Sequence, residues 1–145
     1  MSGLLALPLS AFLAAGIPGM TNPAVTQANI DTTICVSGWT KTIRPPASYT
    51  DKLKRQQMAA RHLTGAPSDF EEDHLISLEI GGNPTSPMNL WPEPWNGPYG
   101  AHKKDRLENR LKALVCAHKL PLVDAQQAIA SDWRAAYRKY VGSLK

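Results

Sequence analysis

The sequence predicts a small α+β domain whose centre is a two-stranded antiparallel hairpin followed by a helix, with additional helices packed around it. Three patterns predict this class: two short apolar runs flanking a Gly-Gly loop between residues 70 and 91, a helical stretch from residue 101, and another after Pro121. At 145 residues the chain is long enough for one domain with a modest hydrophobic core.

The first residues of the chain have the composition of a targeting segment. Residues 4–15 are almost wholly apolar, and small residues follow them. The run is too short, and too interrupted by prolines, to span a membrane as a helix. We therefore expect residues 1–20 to be a signal peptide and the protein to be secreted or periplasmic. Because no Lys or Arg lies near Met1, an apolar tail on a cytoplasmic protein is the alternative.

A linker and a pair of cysteines follow. The composition of residues 21–30 predicts a flexible linker before a single domain over residues 31–145. An isolated cysteine pair in a small exported domain most often forms one disulfide, so we expect Cys35 and Cys116 to be joined. Two buried free thiols are the alternative. Neither cysteine has Cys-x-x-Cys spacing, which argues against a zinc knuckle or a redox motif.

The segment before the central motif is predicted to contain a strand, an extended stretch and a helix. Residues 32–36 are rich in β-branched side chains and predict a strand. Residues 40–46 predict an extended stretch that two prolines end. Thr50 predicts the N-terminal cap of a helix over residues 51–62, which a following glycine ends.

The central motif is predicted to be strand, loop, strand. Residues 70–80 predict the first strand and residues 88–91 a shorter second one. Between them, residues 81–87 contain Gly, Asn, Pro, Thr and Ser, which is the composition of a loop. Residues 91–99 are dense in Pro and Trp and are not expected to form a helix.

Two amphipathic helices complete the predicted domain. The first covers residues 101–118, and the second begins at Pro121. The apolar stripe of the first helix consists of Leu107, Leu111, Leu114 and Val115, and that of the second consists of Leu122, Ala125, Ile129, Trp133, Ala136 and Tyr140.

The strand, loop, strand and helix carry side chains that phosphodiester hydrolysis uses. Asp73 and His74 are adjacent, Asn89 begins the second apolar run, and His102 begins the helix. A carboxylate, an imidazole, an amide and a second imidazole in this order are the parts of a one-metal phosphodiesterase site. The sequence has no comparable set of residues elsewhere.

These residues give the chain a family resemblance. The pairs Asp73-His74, Gly81-Gly82 and Asn89-Leu90, followed by a helix from His102, resemble the HNH, or His-Me finger, endonucleases over residues 69–117. The chain is also similar to small exported bacterial proteins with Asp-His-Leu and Asn-Leu-Trp-Pro-Glu-Pro segments. The resemblance implies a ββα-metal core. The Cys-x-x-Cys knuckles of many relatives are missing, so the Trp/Pro-rich loop and the disulfide would supply that rigidity.

The resemblance also implies roles for individual residues. His74 would be the general base, Asp73 a metal ligand, and Asn89 the amide that braces the loop orienting His74. The second metal ligand is expected from the helix, with His102 first. The metal would be Mg²⁺ or Mn²⁺, and Zn²⁺ or Ni²⁺ would also suit an imidazole ligand. The alternative second ligands are Asp105, Asn109 and Asn96.

The distribution of charge suits a polyanionic partner, with DNA expected in preference to RNA. The formal net charge is +4, and an acidic patch at residues 69–73 lies between two basic segments. Lys103, Lys104 and Arg106 are expected to contact phosphates, although solvated helix faces would have the same pattern. The aromatic side chains of the Pro-rich loop would stack on bases or cap the core; they are Trp91, Trp95 and Tyr99.

The expected function is a metal-dependent endonuclease that hydrolyses phosphodiester bonds in DNA with low sequence specificity. No recognition helix or zinc-finger array is visible in the sequence to read bases. One alternative is a catalytically silent ββα module that binds nucleic acid or protein. Another is an exported binding protein stabilised by its disulfide. No stable membrane association is expected after processing.

Overall fold

The computed structural model describes Ile17 and residues 20–145, so nearly all of the predicted signal peptide lies outside the described residues. The fold is mixed α+β, as predicted. No helix in the described part of the chain is long and apolar enough to cross a membrane. The elements are α1 (Trp39–Ile43), α2 (Ala47–Ala60), β1 (Phe70–His74), β2 (Leu90–Pro94), α3 (Ala101–Cys116) and α4 (Leu122–Tyr140), with 3₁₀ helices at Gln27–Thr32, Pro67–Asp69, Leu78–Ile80 and Pro87–Asn89.

The two strands pair antiparallel in a register that sorts their side chains into two faces. Glu71 lies opposite Glu93, and His74 lies opposite Leu90. Because side chains alternate along a strand, Glu71, Asp73 and Glu93 share one face of this ribbon, and His74 belongs to the other.

The first strand is shorter than predicted. It ends at His74, and the apolar residues that follow form the 3₁₀ helix Leu78–Ile80 instead of more strand. The Asn89 side chain bonds both the N–H and the C=O of Ile76, which ends the ladder at this point. The apolar side chains in residues 76–80 are buried in the core, so the apolar run reflects burial and not strand pairing.

Two predictions for residues 32–46 were wrong. The predicted strand at residues 32–36 is a turn that follows a 3₁₀ helix, and the predicted extended stretch contains α1. In the described part of the chain no strand pairs with residues 32–36, and the Thr33 hydroxyl donates a local hydrogen bond to the Asn29 carbonyl at 2.8 Å. Local bonding of this kind overrides the β propensity of the sequence. The predicted helix is present as α2, but it begins at Ala47 after the cap residue Pro46.

Residues 21–30, where the sequence predicts a linker, pack against the domain. Val25 and Ile30 are buried in the hydrophobic core. The backbone N–H of Asn22 donates to the Gly81 carbonyl at 2.8 Å, and Thr21 forms a β-bridge with Gly82. The segment therefore supports the loop between the two strands.

The predicted disulfide is present. Cys35 and Cys116 are bonded with their Cα atoms 5.7 Å apart, and the bond ties the N-terminal segment to the last residue of α3. Such bonds persist in oxidising compartments, so this one favours a location outside the cytosol.

Helices α3 and α4 form the main hydrophobic core with the N-terminal segment. Leu107 and Leu111 of α3 pack with Ile129 and Tyr137 of α4 and with Ile80. Helix α4 is kinked at Asp132, whose side chain caps the second part of the helix. This core holds α3 against the ribbon face that carries Asp73.

Candidate active site

His74 occupies the last position of β1, and its ring is held in one orientation. Its Nε2 lies 2.9 Å from the carbonyl oxygen of Pro84. A carbonyl oxygen only accepts, so Nε2 carries the hydrogen and Nδ1 keeps its lone pair. The residue is 7% exposed, and burial lowers the pKa of the imidazole below its ordinary value. His74 is therefore neutral near pH 7, with Nδ1 available as a base.

The loop that presents the Pro84 carbonyl depends on its two glycines. Gly81 has φ +82°, in the left-handed region that other residues rarely adopt. A Cβ on Gly82 would lie 1.7 Å from the Ile76 carbonyl oxygen, so only glycine fits there. The Asn83 side chain then accepts two backbone hydrogen bonds from the next turn. The Gly-Gly pair therefore has a steric explanation.

Asn89 joins the two ends of this loop. Its side chain is fully buried, accepts from the Ile76 amide at 2.8 Å, and donates to the carbonyl oxygens of Ile76 at 3.0 Å and Asn83 at 2.9 Å. Its own carbonyl accepts from the Leu75 amide. These bonds are those expected of an amide that braces the His74 loop.

The other face of the ribbon carries buried carboxyl groups. Glu71 and Glu93 lie directly opposite each other, an arrangement that is unfavourable for two negative charges. Glu93 is fully buried, and neither of its oxygens has a hydrogen-bond donor in the described part of the chain. Burial, reinforced by Asp73, raises the pKa of Glu93 to about 10. Burial likewise raises the pKa of Glu71 to about 8. Both are therefore mainly protonated at neutral pH.

Lys104 places a positive charge against this face. The residue is 1% exposed, and its Nζ donates to Asp73 Oδ2 at 2.8 Å, to the His74 carbonyl at 2.8 Å and to Glu108 Oε1 at 2.5 Å. Burial alone would lower its pKa, but the Asp73 and Glu108 carboxylates raise it by more, so the net shift is upward. The ammonium group stays charged.

A polar cavity of about 100 Å³ lies where the two sets of residues meet. The Glu71 Oε2 and both oxygens of Glu72 are buried without a donor in the described structure. Oxygen-rich linings suit hard divalent cations. However, no three His, Cys, Asp or Glu side chains among the described residues are arranged to hold a metal. The cavity is lined by Arg44, Glu71, Glu72, Asp73, His74, Ser77, Leu78, Asp105 and Glu108.

The helix residues predicted as metal ligands differ in position. His102 is exposed, and its ring centroid lies 5.3 Å from that of Trp95. It does not line the polar cavity, whereas Asp105 does. Asn109 is exposed. Of the predicted ligands, the structure therefore brings only Asp73 and Asp105 to the cavity.

The three residues predicted to contact phosphates differ in their exposure to solvent. Arg106 is exposed and Lys103 is half-buried, whereas Lys104 is buried in the ion pairs described above and so cannot meet a phosphate at the surface. The spacing of Lys104 and Glu108, four residues apart on a helix, is the sequence signal of that internal pair. Of the aromatic residues, Trp91 and Trp95 are half-buried, and Tyr99 lies under the Arg134 guanidinium at 4.0 Å.

A groove of mixed charge opens beside His74. It has a volume of about 330 Å³; Arg44, Lys54 and Trp95 line it together with His74, and so do the carboxyl groups of Asp51, Glu71 and Glu72. Lys54 Nζ is oriented by a 3.0 Å hydrogen bond to the Phe70 carbonyl. Arg44 also lines the polar cavity, and its charge helps to lower the His74 pKa. Nothing in the sequence pattern pairs Arg44 with His74, because the packing of α2 against β1 brings the segment before α2 to the site.

Comparison with known proteins gives no match, because no protein-family model, curated protein or solved structure is significantly similar to this chain.

Proposed function

We propose that the domain is an exported endonuclease that hydrolyses phosphodiester bonds in DNA with low sequence specificity. The order β1, β2, α3 supports a ββα arrangement, with His74 at the end of β1 and Asn89 directly before β2. The disulfide supports an exported form.

The observation that carries the proposal is the orientation of His74. Its Nε2–H is committed to the Pro84 carbonyl, so the base must act through Nδ1. Burial keeps the ring neutral, as a general base working near pH 7 requires. His74 would take a proton from the attacking water at Nδ1 and hold it as the imidazolium, with the carbonyl of Pro84 stabilising that charge.

The residues around His74 have complementary roles in the proposal. Arg44 and Lys54 would bind the nucleic-acid backbone in the groove beside His74, and Trp95 would offer a face to a base. Asp73, Glu71 and Asp105 would offer oxygens to Mg²⁺ or Mn²⁺, because all three line the cavity and Glu71, which would have to lose its proton, has an unsatisfied oxygen; in the described structure they are not already arranged as a metal site. A bound divalent ion supplies Lewis-acid stabilisation of the phosphate and the leaving 3′-oxygen.

Low specificity follows from the shape of the groove. The groove offers cations and an aromatic ring, which contact phosphates and any base. The described part of the chain presents no free helix beside His74 that would enter the major groove.

Nicking of supercoiled plasmid tests the proposal. The purified protein should cleave DNA with Mg²⁺ or Mn²⁺ and lose the activity in EDTA. His74→Ala should be inactive. His118→Asn is the matched control, because it removes an exposed imidazole outside the site at a left-handed position that Asn tolerates. Equal cleavage by wild type and His74→Ala would contradict the proposal.

A second candidate function is a catalytically silent ββα module that binds nucleic acid or protein. The buried Lys104 ammonium favours it, because this group already neutralises Asp73 and Glu108. Binding of a labelled oligonucleotide without cleavage under any divalent-ion condition, lost in Arg44→Ala, would support this candidate. An exported binding protein of another kind would show neither activity.

A further inference from the structure

Lys104 occupies the position where a cation would best meet the buried carboxylates. Its ammonium group contacts Asp73 on β1 and Glu108 one turn further along α3, both within hydrogen-bond distance. The third contact is the His74 carbonyl, so the same ammonium touches the backbone of the proposed base. Three oxygen acceptors around one buried positive charge form a cation site that is filled by the protein itself.

The cluster has buried carboxyl oxygens beyond those that Lys104 bonds. Glu93 is fully buried beside Asp73, and both its oxygens lack donors in the described structure. Glu71 faces Glu93 across the ribbon and has one unsatisfied oxygen. A single ammonium cannot bond all of these groups, whereas a divalent ion carries twice the charge and coordinates several oxygens at once.

We propose that the Lys104 ammonium is the resident cation of this cluster and that a divalent metal ion competes with it for the same carboxylates. The proposal deepens the proposed function, on which the presence of a metal rests. It means that the fold is complete without metal, because Lys104 supplies the counter-charge. It also means that metal binding requires the Lys104 side chain to move away from Asp73.

The structure provides space for that movement. Lys104 also lines a separate cavity of about 470 Å³ together with Tyr99, Ile129 and residues around the kink of α4. The flexible four-carbon stem of a lysine allows its ammonium to be redirected while its Cα stays in place.

Lys104→Met tests the proposal, because it removes the charge and keeps most of the stem. Lys103→Met is the matched control, since Lys103 is the half-buried neighbour and makes no ion pair in the described structure. Melting temperature is measured with EDTA and with millimolar MnCl₂, and Mn²⁺ affinity is measured by calorimetry. In EDTA, Lys104→Met should melt roughly 10 °C or more below wild type, because buried carboxylates lose their partner.

The decisive comparison is the response to metal. Mn²⁺ should raise the melting temperature of Lys104→Met much more than that of wild type or Lys103→Met, with affinity at least about tenfold tighter than wild type. If Lys104→Met fails to fold in EDTA, refolding in MnCl₂ provides the same comparison, and recovery supports competition. Equal responses in all three proteins, or failure to fold in both buffers, would overturn it.

The outcome is separable from that of the proposed function. Tighter Mn²⁺ binding by Lys104→Met, with no DNA cleavage by wild type, would support the competition and reject the nuclease. Metal-dependent nicking by wild type, with the same response of Lys104→Met and wild type to metal, would support the nuclease and reject the competition.

Discussion

The His74 loop and the Asp73 face of β1 differ in how completely their polar groups are paired. In the loop, the His74 ring, the Asn89 side chain and the loop carbonyls form a closed set of hydrogen bonds. On the Asp73 face, Glu93 and part of Glu71 are buried without donors, although Lys104 bonds Asp73. Buried groups without partners cost free energy. The contrast indicates that the loop is built to hold a ring still, whereas the Asp73 face is built to accept positive charge.

The largest expected effect is on cleavage when His74 is removed. His74→Ala should reduce the nicking rate by roughly 10²–10⁴-fold, because the proposed general base is lost. Circular dichroism should show that the fold persists, since the ring makes one side-chain hydrogen bond in the described structure. Single-turnover cleavage at near wild-type rate would remove His74 from the chemistry.

Asn89→Ala should disrupt the hydrogen bonds that close the His74 loop. It leaves the buried N–H and C=O of Ile76 without partners, at a cost of about 1–3 kcal/mol each. We expect a loss of roughly 2–5 kcal/mol in the free energy of unfolding, with a parallel fall in cleavage because the His74 loop loosens. Urea denaturation measures the first. A destabilisation below about 0.5 kcal/mol would mean that water replaces the amide.

Removing the disulfide tests how far the Asp73 face depends on α3 being tied down. The bond joins cysteines that are 81 residues apart in sequence. One of them is the last residue of α3, the helix that carries Lys104 and Glu108. The double variant Cys35→Ser/Cys116→Ser should lose about 2–4 kcal/mol and melt several degrees lower. Scanning calorimetry of oxidised and reduced wild type gives the control. Coincident transitions in all three samples would show that core packing alone positions α3.

The pH dependence of stability should come from the Asp73 face. The pKa of Glu93 is raised from 4.5 to about 10 in the fold, so the folded state binds more protons than the unfolded state between these values. Stability contributed by the protonated group is therefore lost as the pH rises through that interval. In EDTA, the melting temperature should fall from pH 6 to pH 10. Glu93→Gln should flatten that fall, whereas Asp31→Asn, an exposed control, should not.

The smallest expected effect concerns His102. Its exposed ring contacts Trp95 and does not line the polar cavity. His102→Ala should leave Mn²⁺ affinity unchanged and alter stability by less than about 1 kcal/mol. Calorimetric titration at pH 7 makes the measurement. A tenfold loss of Mn²⁺ affinity would identify His102 as the second metal ligand and imply that α3 shifts when metal binds.

Local patterns were sufficient to predict part of this architecture. The helical periodicity after residues 101 and 121 predicted α3 and α4, because amphipathic stripes directly encode a buried face. The disulfide was predicted from a cysteine count and a compartment argument. The composition of residues 81–87 predicted a loop between the Asp73-His74 and Asn89 motifs, but not that the first strand would end at His74 or that Asn89 would bond Ile76.

Other features depend on contacts between distant segments and could not be predicted. Residues 32–36 have strand propensity but find no partner strand among the described residues, so tertiary context decided their conformation. Arg44 reaches the site because α2, which follows it, packs against β1. The sequence does show that Glu71 and Asp73 share one face of a strand and that Lys104 and Glu108 share one face of a helix. It does not show that α3 lies against that face of the ribbon, so the contact of Lys104 with Asp73 could not be predicted.

The disulfide between Cys35 and Cys116 determines what happens to the domain when a protease cuts the chain. All of β1, β2 and α3 lie between the two cysteines, so the whole candidate site belongs to one covalently closed ring of chain. The exposed segment at residues 61–66 is a natural place for a protease to cut within that ring. A single cut there would leave the two fragments joined through the disulfide, so the fragment that carries Arg44 and Lys54 could not diffuse away from the fragment that carries His74 and Lys104.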